Sequence, residues 1–376
     1  MNSSYGRKRA FSRNGFKQYL ICFDIFCLHV RSFLMDLKKL FLRADYQEII
    51  RLGLDRKAKL SLEERVYFIA SLSFLGHDTD AGLDLKKYER KMNRDQRCIA
   101  RFFLSVSHAR KGDFSTALPL LVKNLKNAKE PNASPRERFY AFQGVGFFRQ
   151  LQSRYRLSLK WSSRAYEIAY FEDDILGKIL SGDLKAHSLE AVGRFGEAIS
   201  LFSSISGLAR EQGNTNFSDS IEVSLLCLHS RLGLLQDPEE ALQERLSILK
   251  SFNTYSRTEI LIELLRLKNL KGKGNDFLPL FHKAIALAEK NGHRRHRVNL
   301  LCRKSAFHLL SGQHDAALRS LLAAEESLDR KNDLSLYSEV LGLRLRVLSE
   351  RDSDRRAEII LQLKKIALRT DRKTHV

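Results

Sequence analysis

Apolar residues recur at helical spacing through most of the chain. Within 138–151 (RFYAFQGVGFFRQL), Phe139, Phe142, Val145 and Gly146 fall on one stripe. Within 162–171, Ala165, Ile168 and Ala169 do the same, and within 259–270 so do Leu261, Leu264 and Leu265, with Lys268 ending that stripe. Such spacing lets a helix bury one face. No segment of useful length alternates apolar and polar residues with period two, so strands are not predicted. The clearest breaks between helical segments are 132–135, 213–216 and 331–333.

A short grammar punctuates these helices. VGRFGEAI, at 192–199, combines a helix breaker, an aromatic two residues on and a small residue three further. It recurs as GDFSTAL from Gly112, SRYRLSL from Ser153 and GQHDAAL from Gly312. Weaker copies start at Ala44, Asp237, Gly274 and Asp352, and TDAGLDL around Asp80 fills a gap. The aromatic slot falls at 46, 80, 114, 155, 195, 238, 277, 314 and 354, in steps of 34 to 43. A period of this size marks a solenoid of helical hairpins whose loops vary while the packed register is kept. Gly112, Gly193 and Gly312 suit left-handed helix stops. Asp113, Ser153, Asp237 and Asp276 suit the cap or first turn of the following helix. Ala117, Ala198, Ala241 and Ala317 permit close helix approach.

These segments resemble tetratricopeptide repeats over roughly 36–370. A small residue in a first helix and another twelve residues on, in the second, is the family's spacing. Ser105 with Ala117, Gly146 with Ser158, Ala186 with Ala198 and Ser305 with Ala317 keep it. Departures are Arg101 and Gly182 in the early tryptophan-like slot, missing closing prolines and steps near 40. The longer arms are similar to those of bacterial regulatory repeat proteins. The resemblance implies an all-α, right-handed α-solenoid of about eight to nine hairpins, with a concave groove lined by first helices. Projected groove positions are Tyr140, Gln143, Phe147 and Gln150, then Asp183, His187 and Glu190, with Asn269 further along. Aromatic and hydrogen-bonding groups together suit capture of a peptide or partner segment.

Composition agrees with a helical, packed chain. Of 376 residues 43% are hydrophobic, and only 5 are proline, where average usage would give about 19. Lys plus Arg number 65 and Asp plus Glu 44, a net +21. That balance favours polyanionic neighbours. The densest run within the repeats is Arg294, Arg295 and Arg297, followed by Arg303 and Lys304. Nucleic acid ranks below protein as the partner, because the aromatics fall on core stripes instead of offering stacking faces. Five cysteines without a CxxC pair fit a reducing compartment and a cytoplasmic location.

Residues 1–34 are a basic and aromatic extension, with the apolar run YLICFDIFCLHV at 19–30. Asp24 and His29 interrupt that run, which is too short to span a bilayer. The repeat grammar begins directly after Met35, which is the expected working start. Residues 371–376 form a basic tail. No catalytic set survives inspection. His293 and His296 lie three apart among arginines, which disfavours a metal ion. Cys22, Cys27 and His29 have no second half of a zinc site. GKG at 272–274 lacks the hydroxyl residue and preceding strand of a phosphate loop. His108 and His308 occupy one slot in two repeats, pointing to packing. The expectation is a non-enzymatic scaffold without cofactor or metal, binding protein or peptide. A peptide-sensing regulator that controls a response regulator or transcription is the alternative, and an RNA-associated repeat protein the third reading.

Overall fold

A computed structural model describes residues 36–369 except 44, 57–58, 252, 273–275, 331 and 349–351. The extension, its apolar run with Cys22, Cys27 and His29, and the basic tail lie outside the described residues. Among those described, the chain is eighteen helices and no strand. They form nine successive hairpins: α1 (Leu37–Leu42) with α2 (Tyr46–Asp55), α3 (Leu62–Phe74) with α4 (Asp78–Tyr88), and α5 (Arg94–Arg110) with α6 (Phe114–Ala128). Next come α7 (Pro135–Leu151) with α8 (Tyr155–Phe171), α9 (Ile175–Ala191) with α10 (Phe195–Glu211), and α11 (Thr215–Leu232) with α12 (Pro238–Ile248). The last three are α13 (Thr254–Lys271) with α14 (Phe277–Lys290), α15 (Arg294–Leu310) with α16 (His314–Glu326), and α17 (Leu334–Val347) with α18 (Ser353–Arg369). First helices pack on first helices of the next hairpin, as α3 on α5, α5 on α7 and α13 on α15. The core is correspondingly a string of apolar clusters along the array. This is the all-α solenoid of a tetratricopeptide-like repeat.

The recurring grammar marks the joints. Tyr46, Phe114, Tyr155, Phe195, Pro238, Phe277 and His314 are each the first residue of a second helix. At the joint before α10, Gly193 has φ 84°, its N–H donates to Glu190 O at 3.0 Å, and the Arg194 N–H donates to Leu189 O at 2.9 Å. The glycine thus closes the helix end by returning amides to orphan carbonyls. The same bond joins Asp113 to His108 and Gln313 to His308. Ser153 departs from the expected cap. It takes the left-handed position itself, at φ 60°, and Arg154 is the N-cap of α8. Asp113 and Asp237 do cap their helices, whereas Asp276 makes no side-chain cap bond. Several first helices start with reciprocal capping boxes, Ser61 with Glu64, Asn93 with Gln96 and Ser134 with Glu137.

Both members of every twelve-residue pair are buried. At Gly146 a Cβ would lie 3.0 Å from Leu184 Cδ2 and 3.3 Å from the Ser162 backbone nitrogen, so α7 and α8 meet backbone to backbone. His108 and His308 make equivalent contacts: Nδ1 lies 3.0 Å from Asp113 Oδ2 in one repeat and 2.7 Å from Gln313 Oε1 in the other.

Successive turns of the solenoid touch. Ends of first helices in the first turn touch starts of first helices four to five hairpins later. Asn214 Nδ2 donates to Leu42 O at 2.8 Å, and the rings of Phe74 and Phe217 meet edge to face at 5.9 Å. Arg110 lies over the Tyr255 ring. Arg295 donates to Leu151 O at 3.4 Å, and Gln152 Nε2 to Asn332 Oδ1 at 3.2 Å. Arg154 reaches the backbone oxygen of Arg369 at 3.2 Å.

Candidate functional site

First helices alone line a half-open cavity of about 240 Å³. His187 comes from α9, Ser224, Cys227 and Arg231 from α11, Tyr255, Glu259, Ile262 and Glu263 from α13, Arg295, His296 and Asn299 from α15, and Leu336 from α17. Helical periodicity explains why one element supplies several of these. Tyr255, Glu259, Ile262 and Glu263 are spaced by three or four residues and share a face.

One wall is acidic. Asp183, His187 and Glu190 lie on a single face of α9. His187 Nε2 is 3.7 Å from Asp183 Oδ1, and its Nδ1 is 3.6 Å from Glu190 Oε2. Glu190 turns its other oxygen to Arg231 at 2.9 Å. Burial alone would lower the His187 imidazole, but Asp183, Glu190 and Glu259 outweigh it and push it up to about 9. Burial opposes the charge on Glu190, which His187 and Arg231 nevertheless hold below the usual carboxylate range. Burial raises Glu259 to about 7, against the pull of His187. Glu263 accepts from Ser230 Oγ at 2.7 Å and pairs with Arg266 at 2.7 Å.

The start of α15 contributes Arg295 and His296. Arg295 pairs with Asp333 at 2.5 Å. The His296 ring lies 4.3 Å from that of Tyr255 and 5.4 Å from that of His293. Burial and then Arg110 hold His293 down near 4. Burial, His293, Arg295 and Arg110 hold His296 near 3. Both rings are therefore neutral at pH 7. Burial pushes the Cys227 thiol well up, which keeps it protonated and unreactive. The described cysteines, Cys98, Cys227 and Cys302, are free and buried.

The structure places His187 in the lining of this cavity, with Asp183 and Glu190 as its ion-pair partners on α9. It disperses the other projected groove residues. Tyr140 is buried among Phe102, Phe103 and Phe139, because its position on α7 faces the neighbouring first helix. Gln143 is buried too, and its Nε2 donates to Leu180 O at 2.8 Å, tying α7 to α9. Asn269 does the same from α13 to α15, donating to Arg303 O at 3.0 Å. Phe147 lies beneath the Arg110 guanidinium, and Gln150 is half-buried on the last turn of α7.

The run from Arg294 to Lys304 is not one patch. Arg294 donates to Ser327 O. Arg297 pairs with Glu289 at 3.1 Å and reaches Ser327 Oγ. Arg303 pairs with Glu339 at 3.2 Å, and Lys304 lies over the Phe281 ring. Only Arg295 of the five lines the cavity. Sequence reasoning missed Arg231, Tyr255, Glu259 and His296 as cavity residues. The i, i+4 spacing of Tyr255 and Glu259 was the available signal, but it equally describes any solvated helix face. No group of three or more His, Cys, Asp or Glu able to hold a metal ion occurs among the described residues. None of their helices is long and apolar enough to cross a membrane.

No family model matches the sequence, and no curated protein matches it. The fold does match solved structures. One is a Rap protein complexed with competence and sporulation factor, at a TM-score of 0.64 over 89% of this chain and 97% of that chain, with 13% identity. The similarity is one of fold.

Proposed function

We propose that the protein is a non-enzymatic scaffold that holds a peptide or partner-protein segment in the concave cavity between α9 and α17. One observation carries this reading: five consecutive first helices contribute side chains to a single cavity, in which Glu259 and Glu263 of α13 stand among Arg231 of α11 and Arg295 of α15. Such a cavity orients a polar chain by its charges while Tyr255, Ile262 and Leu336 offer apolar contact. That a Rap protein of the same fold forms a complex with a factor supports it.

The test is selection from a displayed library of random peptides, repeated with Asn299→Trp, which places an indole in the cavity from a half-buried position. Peptides that bind the wild type and lose at least tenfold in affinity for the variant are the expected result. Failure to select any peptide, or equal binding by both proteins, overturns the reading.

A regulatory sensor is the second reading, favoured by the turn-to-turn contacts. The same first helices line the cavity and meet the other superhelical turn, as Tyr255 and Arg295 do. A ligand there is coupled to the pitch of the solenoid. Small-angle scattering separates the two: a sensor changes its radius of gyration on binding a selected peptide, and a rigid scaffold does not. RNA association is the third reading. It predicts binding of a labelled single-stranded RNA that weakens steeply with salt, and the internal pairing of Arg297 and Arg303 argues against it.

A further inference from the structure

We propose that the cluster around Tyr255, at the edge of the cavity, is an oxyanion subsite, in which Arg110, Tyr255, His293, His296 and the first turn of α15 receive a carboxylate or phosphate group. The inference rests on the reading of the cavity as a binding site and names the chemistry of one end of its ligand.

The site is assembled from two superhelical turns. Arg110, at the end of α5, lies 5.7 Å from the Tyr255 ring centre and 5.8 Å from that of Phe147. It is exposed and makes no salt bridge to a carboxylate among the described residues. Tyr255 sits in the first turn of α13, and Arg295 and His296 in the first turn of α15. The N-cap of α15 is His293, whose side chain accepts nothing from the helix amides. These amides carry the positive end of the helix dipole and are oriented to bind an anion.

An independent observation points to a ligand. His296 is 7% exposed, lines the cavity, and its Nδ1 has no hydrogen-bond partner. The Nδ1 of His293 lacks one as well. Buried polar atoms are ordinarily satisfied, so the orphan on His296 in the cavity lining, with that of His293 on a ring 5.4 Å away, marks a missing partner. A neutral imidazole with its proton on Nδ1 donates to an oxyanion. The buried Tyr46 hydroxyl also lacks a partner and feels the same Arg110 guanidinium. Glu259 follows Tyr255 one turn on along α13, with its carboxyl raised to about 7 by burial, and Asp333 is already paired with Arg295.

The experiment is isothermal titration of the full chain at pH 7 with two separate probes, inorganic phosphate and N-acetylglycine. Parallel titrations use Arg110→Gln and Arg194→Gln. Arg194 carries the same charge but pairs with Glu197 on α10, away from the cavity. Binding of either probe that weakens at least tenfold in R110Q and less than twofold in R194Q supports the subsite. Preference for N-acetylglycine identifies a peptide carboxylate as its occupant, and preference for phosphate identifies a free phosphate group. If neither probe binds, or if R110Q binds as the wild type does, the subsite is overturned. Probe binding that survives while no peptide is selected leaves the subsite standing and sinks the peptide reading, so the two failures are distinguishable.

Discussion

Asn214 Nδ2 donates to the backbone oxygen of Leu42 at 2.8 Å across 172 residues of sequence. The same side chain uses its oxygen to cap α11, accepting from Phe217 N at 3.1 Å. A single amide thus starts a helix in one superhelical turn and ties it to the turn before. Asn214→Ala should cost about 2 kcal/mol, one cap and one buried hydrogen bond, read as a lower urea midpoint. Asn214→Asp keeps the cap and loses the donor, so it should recover only part of that loss. Full recovery in the aspartate variant would show that the inter-turn bond contributes nothing.

Close approach of α7 and α8 depends on Gly146. Gly146→Ala places a methyl 3.0 Å from Leu184 and 3.3 Å from a backbone nitrogen. Overpacking of this kind costs about 2 kcal/mol. At Gly193, where no atom lies within 4 Å of a built Cβ but φ is +84°, alanine meets only backbone strain of about 1 kcal/mol. Asparagine, which tolerates the left-handed region, should cost less than alanine there and give no advantage at 146. Chemical denaturation of the four variants checks this ordering.

Arg65 and Asp84 form a salt bridge of 3.3 Å between α3 and α4 with side chains 3% and 6% exposed, and the guanidinium also lies 3.5 Å from the Tyr88 ring centre. Asp84→Ala removes the carboxylate that faces a buried guanidinium. The expected loss is about 3 kcal/mol, measured by urea denaturation. A loss below 1 kcal/mol would mean that solvent reaches the guanidinium on small rearrangement.

Stability should fall on the alkaline side through the acidic wall. The folded state raises His187 from 6.5 to about 9, so its contribution is complete below pH 6.5 and is lost as pH rises through 9. Raising Glu259 from 4.5 to about 7 acts in the same sense, because the folded state holds that proton more tightly. Glu259→Gln should therefore flatten the decline between pH 4.5 and 7, and His187→Gln that between 6.5 and 9. At the start of α15, His293 and His296 are lowered; their contribution is present above pH 6.5 and is lost as pH falls toward 4 and 3. Thermal unfolding across the pH range, variant against wild type, tests each sign separately.

Much of this architecture was legible because it is local. The left-handed stop at Gly193, the cap at Asp113 and the small pair Gly146 and Ser158 each act within one hairpin, and all recur along the chain. The repeat resemblance projected Asp183, His187 and Glu190 onto a groove face of α9, but nothing local fixes which way such a face turns. Tyr140 and Gln143 satisfy the same spacing, yet the rotation of α7 against its neighbours turns them inward, where Tyr140 joins an aromatic cluster and Gln143 bonds a backbone oxygen of α9.

By itself, then, the amino-acid order determined the hairpin, its joint and its repetition, since each depends on backbone conformation and helical period within some forty residues. Tertiary structure alone decided how the hairpins coil. The pitch that lets Arg110 meet Tyr255 and Asn214 meet Leu42 follows from small rotations accumulated over four to five packed hairpins. No short stretch of sequence encodes that sum, and the cavity lined by five first helices exists only once it has been made.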